Sequence, residues 1–357
     1  MKREELVERI ESGARLEGLR LEGMDLSGLR LDGAHFDDCR LVHCDLRGAD
    51  LSQSTFTGCT LSHCRLDDAR IRETHFLHSH LLDCRLVTEH VEDLNSVDSE
   101  WRRVDLSGGR LSDVSFVRGH IEQMSLQGAQ AEKFVIFNAD TRHIDLGHAQ
   151  LQRTAWIECD LRALELGQTR IESGVFSECD LRAVDFRGCT FVDVQFMECL
   201  LDGANLSGCR WTRPNFTKAS LRQVAAQGAA MPNALFFQAE CTNADFEGAD
   251  LTQSIWKEAV AQAVRLTNAR LYQANLEGAR LDGARLDGAD LTYADLSHAS
   301  LRQARLQGCR VHRANLHGAD LQEANHGDLS EALGEDPERR AAEQWRPVPV
   351  HEEAPDQ

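Results

Sequence analysis

The chain has 357 residues and a formal net charge of −19, with 42% hydrophobic, 27% charged and only 6% aromatic residues. No stretch approaches the roughly 20 apolar residues of a membrane span, and Met1-Lys2-Arg3-Glu4-Glu5 opens no secretory signal, so a cytoplasmic start is expected. A globular chain of this length would divide into two or three domains, but one unbroken period overrides that prior and makes a single elongated domain.

Residues 1–13 read as a short helical cap. Leu6, Val7 and Ile10 form an apolar stripe among Glu and Arg, and Gly13 stops the helix. From 14 to about 325 the pattern changes. Every fifth residue from Leu16 to Leu321 is large and apolar, with Ser96, Ala131, Thr141, Ala226, Cys241 and Ala261 the six exceptions among sixty-two positions. Five residues match neither the 3.6-residue helix turn nor the two-residue strand repeat, so the chain must bend once per pentad.

Small side chains dominate two residues before each large one, without a break from Ala269 to Ala304. With the large residue called i, positions i−2 and i share the inner side of an extended segment, and i−1, i+1 and i+2 lie outside. Gly often occupies i+2, as at Gly18, Gly23, Gly278 and Gly283, where a tight corner needs its freedom. Aromatic residues repeat on a longer period: Phe36, Phe56, Phe76, Phe116, Trp156, Phe176, Phe196, Phe216, Phe236 and Trp256 share one column modulo twenty, with Ser96 and Ile136 at the missing steps. Four pentads therefore make one square coil. The expectation is an all-β solenoid of about 15 coils, each burying its apolar face against its neighbours, in a rod about 75 Å long.

Eleven of the twelve cysteines stand at inward i−2 positions and Cys241 at an inward i position. Stacked side chains in a parallel ladder stay about 4.8 Å apart at Cβ, longer than a disulfide permits, so core packing is the reading. Beyond the repeats, 326–357 reads as a C-terminal cap and tail. Asp328 to Gln344 is expected to be helical in part, and Pro347, Pro349 and Pro355 with Glu352 and Glu353 suggest a disordered acidic end. Trp345 is read as a cap or docking contact.

The triplets Ala49-Asp50-Leu51, Ala204-Asn205-Leu206, Ala274-Asn275-Leu276 and Ala289-Asp290-Leu291 carry an A(D/N)LXX signature. On these residues the chain resembles the pentapeptide-repeat family over residues 14 to about 325. The resemblance implies a right-handed quadrilateral β-helix, usually bacterial, and says little about chemistry. Well-known members mimic duplex DNA and bind DNA gyrase. Long members also look like accessory proteins found with type VI secretion effectors, which would make this chain an adaptor.

Enzyme signatures are missing from the sequence: there is no phosphate loop, HExxH, nucleophile elbow or CxxC pair. No catalytic residue, cofactor, metal ion or small-molecule substrate is expected. His75, His78 and His80 point outward on successive sides of a coil, with His63 and His43 stacked in a column, and so do not converge as ligands must. Charge argues against a DNA mimic, which needs a single-sign field. Between Leu16 and Leu321 there are 44 acidic and 32 basic residues, and Arg142, Arg162 and Arg182 stand beside the column Asp140, Asp160 and Asp180. Nucleic acid and membrane are not expected partners, and the gyrase-binding DNA mimic is the alternative reading.

The sharper signal lies outside the aromatic column. Between His75 and Lys257, twelve of the twenty i−1 and i+1 positions are apolar: Ala155 together with Leu77, Val97, Val117, Val135, Phe137, Ile157, Val175, Met197, Leu235, Phe237 and Ile255. The matching positions around Leu66 to Phe246 contain only Val87 and Ala225. Strand propensity favours Val, Ile and Phe on every face alike, so the bias of one face points to an interface with a protein partner or a second copy.

Overall fold

In the computed structural model, which describes residues 3–345, the chain winds as a parallel β-solenoid of about 16 turns between two short helices. Each residue pairs with the one twenty further on. Phe36 stands beside Phe56 and Phe56 beside Phe76. The register continues through Trp156 and Phe176 to isolated bridges such as Asn275 with Asp295. The backbone ladder follows the same spacing: Leu26 N–H donates to Asp45 C=O at 2.8 Å, and Asp45 N–H donates to Met24 C=O at 3.0 Å.

Many corners are β-turns closed within the pentad. Ala34 N–H donates to Leu31 C=O (3.1 Å) and Ala284 N–H to Leu281 C=O (3.0 Å), so each turn joins a large inward residue to the next small one. Its third residue, i+2, takes positive φ, as a type II turn requires. Gly283 has φ +68° and Ala263 +53°, and His43 (+53°) and Arg118 (+45°), at corners of the extended strands, share the positive φ. The Asp or Asn of the signature serves the other end of the corner. Asn275 Oδ1 accepts from Glu277 N–H (2.9 Å) and Asp290 Oδ1 from Thr292 N–H (3.1 Å), so a short side chain at i−1 satisfies the outward amide at i+1.

Side chains at i and i−2 fill the interior, and the four largest buried residues are Trp101, Trp156, Trp211 and Trp256. Polar i−2 residues also work as donors. Ser54 Oγ–H donates to Leu31 C=O (2.8 Å), Thr74 to Leu51 C=O (2.9 Å) and the Cys39 thiol to Leu16 C=O (3.0 Å). All twelve cysteines are free, and eleven are buried. Burial pushes the Cys189 and Cys209 thiols up to about 12, which makes them poor nucleophiles.

The aromatic column is a continuous stack, but Ser96 and Ile136 do not themselves fill its gaps. At Ser96 the indole of Trp101 enters from the next face, edge-on to Phe76 (5.5 Å) and Phe116 (5.0 Å), and its Nε1–H donates to Ser96 Oγ at 2.7 Å. At Ile136 the ring comes from Phe134, at 5.6 Å from Phe116 and 5.7 Å from Trp156.

Within the coils the pentad register departs locally at Thr88. Thr88, rather than Glu89 at the i−2 position, turns inward, where its hydroxyl donates to Ala69 C=O at 2.9 Å while Glu89 stays exposed. A glutamate carboxylate inside this narrow core would have no partner, so the backbone shifts by one residue to bury a hydroxyl instead. Gly109 accommodates the shift, since a Cβ there would lie 3.0 Å from Thr88 C=O.

Helix α1 (Arg3–Glu11) lays Leu6 fully into the first coils, with Ile10 partly buried beside it. At the other end Leu333 N–H donates to Ala314 C=O and Leu316 N–H to Leu333 C=O, which closes a shortened last coil. Helix α2 (Pro337–Gln344) follows, capped by the Asp336 side chain, and buries no side chain of its own. Trp345 is 71% exposed, so it seals nothing within the described residues. The expected acidic end with Pro347, Pro349, Pro355, Glu352 and Glu353 lies outside them.

Candidate interaction face

The outward flanks of the aromatic column form one surface in register. Leu77 pairs with Val97, Val97 with Val117, Val117 with Phe137 and Phe137 with Ile157, so five apolar i+1 side chains stand on five successive coils. Beside them Val135, Ala155 and Val175 pair in sequence on the i−1 side. Met197 continues the i+1 column after Ser177. Leu235 pairs with Ile255, and Phe237 stands one turn beyond Thr217. Ten of the eleven expected interface residues are half-buried by their neighbours, and Ile255 is 37% exposed. The structure thus brings all eleven onto one face.

Charged pairs line both borders of this stripe. On the following corner Arg118 Nε–H donates to Asp98 at 2.9 Å and Lys218 Nζ–H to Glu198 at 3.3 Å. On the preceding corner Lys133 Nζ–H donates to Asp113 at 2.8 Å. These hydrogen bonds hold the Asp98 and Asp113 carboxyls below the ordinary carboxylate range. An apolar centre with a polar rim is the usual anatomy of a protein contact surface.

Elsewhere the acidic columns are neutralised locally. Arg162 Nε–H donates to Asp160 at 2.8 Å and Arg182 Nε–H to Asp180 at 2.8 Å, and Arg142 lies 3.3 Å from Asp140. Among the outward histidines, His43 and His63 stack at 4.8 Å, while His80 Nδ1 is 2.9 Å from Glu100 Oε2.

A further polar constellation lies at the C-terminal end, where the pentad pattern offered no sign of it because one member comes from α2. Glu343 reaches back to two repeat histidines, with Oε1 3.1 Å from His298 Nε2 and Oε2 3.3 Å from His317 Nε2. His317 is 1% exposed, and its Nδ1 accepts from Asp336 N–H at 3.0 Å. Burial raises the Glu343 carboxyl, but hydrogen bonds from His317, His298 and Arg339 outweigh this and leave it below its ordinary value.

Sequence comparison agrees with the period. The family model "Pentapeptide repeats (8 copies)" matches residues 12–48, 34–73, 215–253, 265–303 and 294–325, and "Pentapeptide repeat region" matches 149–225. Together these matches span more than half of the chain. The chain belongs to the pentapeptide-repeat family. Similar solved structures include QnrB1, a plasmid-mediated fluoroquinolone resistance protein, with 21% identity over 54% of this chain and 94% of that one and a TM-score of 0.39. Another is HetL, involved in heterocyst differentiation regulation in the cyanobacterium Nostoc, with 23% identity over 94% and 98% of the two chains and a TM-score of 0.19. A pentapeptide-repeat protein of the Arabidopsis thaliana thylakoid lumen shares 33% identity over 26% and 65%, with a TM-score of 0.20. No curated protein sequence matches the chain. No helix among the described residues is long and apolar enough to cross a membrane.

Proposed function

We propose that this pentapeptide-repeat protein is a non-enzymatic scaffold or adaptor of a bacterial cytoplasm that binds another protein chain, a second copy included, along the outside of its aromatic face. The observation that carries the reading is the apolar stripe from Leu77 to Ile255. Nine coil steps of about 4.8 Å and a width of about 10 Å give it an area on the order of 400 Å². A standard interface takes about 800 Å² from each partner, so the stripe supplies the dry centre and the charged borders the rim. Strand propensity alone does not explain Leu235, Phe237 and Ile255, because their coils are linked on this face by isolated bridges and not by extended strands.

A setting beside type VI secretion effectors rests only on the resemblance to long family members. QnrB1, by its description, confers fluoroquinolone resistance. The DNA-mimicking role that the family resemblance offers as an alternative is disfavoured here by the arginines bound to Asp160 and Asp180, which break the single-sign field. A supercoiling assay with and without a quinolone separates the two readings, and the scaffold reading expects no effect of the protein.

The decisive experiment replaces Phe137, Ile157, Leu235 and Phe237 with Ser or Thr. Light scattering then gives the mass in solution, and capture by the variant is compared with capture by the parent. Loss of self-association or of a partner bound by the parent is expected. Unchanged assembly and capture by a variant with parental circular dichroism would sink the proposal.

A further inference from the structure

Helix α2 is eight residues long, buries no side chain, and still lies against the last coils. So short a helix is not stable on its own, and no apolar anchor holds it. Its attachment is polar and converges on one point. His298 and His317 present their rings at 85° to each other with centroids 5.3 Å apart, and Glu343 stands between their Nε2 atoms. The ligand-capable atoms of the three residues all lie within 4.8 Å of one another.

We propose that His298, His317 and Glu343 form a binding site for a divalent transition-metal ion of the Zn²⁺ class, which clips α2 to the end of the solenoid. Two imidazole nitrogens and one carboxylate oxygen are a donor set suited to such an ion, with water completing the coordination. Bonds of about 2.0–2.1 Å place tetrahedral ligand atoms about 3.3 Å apart. Glu343 meets the two imidazoles through different oxygens, Oε1 at 3.1 Å from His298 Nε2 and Oε2 at 3.3 Å from His317 Nε2, and each of these contacts already has that length. The set closes when one of these oxygens and the two imidazoles draw together from separations of no more than 4.8 Å.

The His317 ring's single proton sits on Nε2, and a metal ion binding there requires it to move to Nδ1. That nitrogen now accepts from Asp336 N–H, so this hydrogen bond is given up. After a shift of several tenths of an ångström, Glu335 Oε2, 3.8 Å from Nδ1 in this structure, accepts the hydrogen bond of the relocated N–H, giving the carboxylate–histidine–metal order that fixes a ligand's tautomer. Because the ligands come from two coils and the helix, binding couples directly to the order of α2.

The test is calorimetric titration of the full chain with Zn²⁺, together with amide hydrogen exchange. About one Zn²⁺ per chain is expected, with slower exchange over 337–344. The exposed pair His298→Ala and Glu343→Gln should abolish both effects and leave the solenoid's circular dichroism unchanged. A parent chain that takes up no Zn²⁺ overturns the assignment. So does an isotherm that survives the double substitution, which would place binding at other surface histidines.

Discussion

Gly283 and Ala263 make the same corner, with φ of +68° and +53°, yet only one of them suits it. The left-handed region costs an ordinary L-residue roughly 1–2 kcal/mol, which glycine escapes in exchange for a larger loss of chain entropy. Nothing lies within 4 Å of a Cβ built on Gly283, so Gly283→Ala tests the backbone alone. It should destabilise the protein by about 1 kcal/mol, and Ala263→Gly should stabilise it by a few tenths, read as opposite shifts of the urea midpoint. The glycines at i+2 made these corners legible in the sequence. His43 and Arg118 did not, because their side chains tolerate the conformation without announcing it. The role of Asn275 was similarly half-visible: the signature marked the position, but only the geometry shows its side chain accepting from Glu277 N–H.

At the scale of the aromatic stack, the twenty-residue column was readable from Phe36 to Trp256, whereas the repair of its gaps was not. Periodicity assigns each residue to a face, and the Trp101 indole is long enough to cross from its own face to the space beside Ser96. The indole brings a polar group into a dry core, where Ser96 Oγ satisfies it. Trp101→Phe keeps a ring but leaves the Ser96 hydroxyl buried without that partner, at a cost of about 1–3 kcal/mol. Ser96→Ala added to Trp101→Phe removes the orphaned group and should recover part of the loss. A double-mutant cycle by denaturant unfolding measures this coupling, and strictly additive effects would show that the hydrogen bond contributes nothing. Thr88 follows the same logic, since the preference for a satisfied polar group in the core overrides a register that holds in the neighbouring pentads.

Across the whole molecule, contacts run almost entirely between adjacent coils, so both stability and surface chemistry are built from neighbouring columns. The interaction face was legible for that reason: outward positions repeat as regularly as inward ones, and eleven named residues fall on one surface. The cluster of His298, His317 and Glu343 was not, because α2 obeys no period shared with the coils. The same column arithmetic governs the response to acid. A hydrogen bond from Arg47 is the main cause that lowers the Asp45 carboxyl to about 2, and Arg103, Arg118 and Arg213 lower Asp83, Asp98 and Asp193 in the same way. A carboxyl whose folded value lies below its unfolded value contributes stability that is present above the unfolded value and lost as pH falls through the folded one. These weak, exposed pairs are therefore lost below the ordinary carboxylate value of about pH 4, and for Asp45 the loss extends to about pH 2. The urea midpoint should be nearly level between about pH 7 and about pH 5, and fall steadily below about pH 4. Replacing Arg47, Arg103, Arg118 and Arg213 with Gln should flatten that acid limb while lowering the neutral plateau only slightly, because exposed pairs contribute little each. An acid limb of unchanged slope in the fourfold variant would mean that these arginines are not what couples the solenoid to pH.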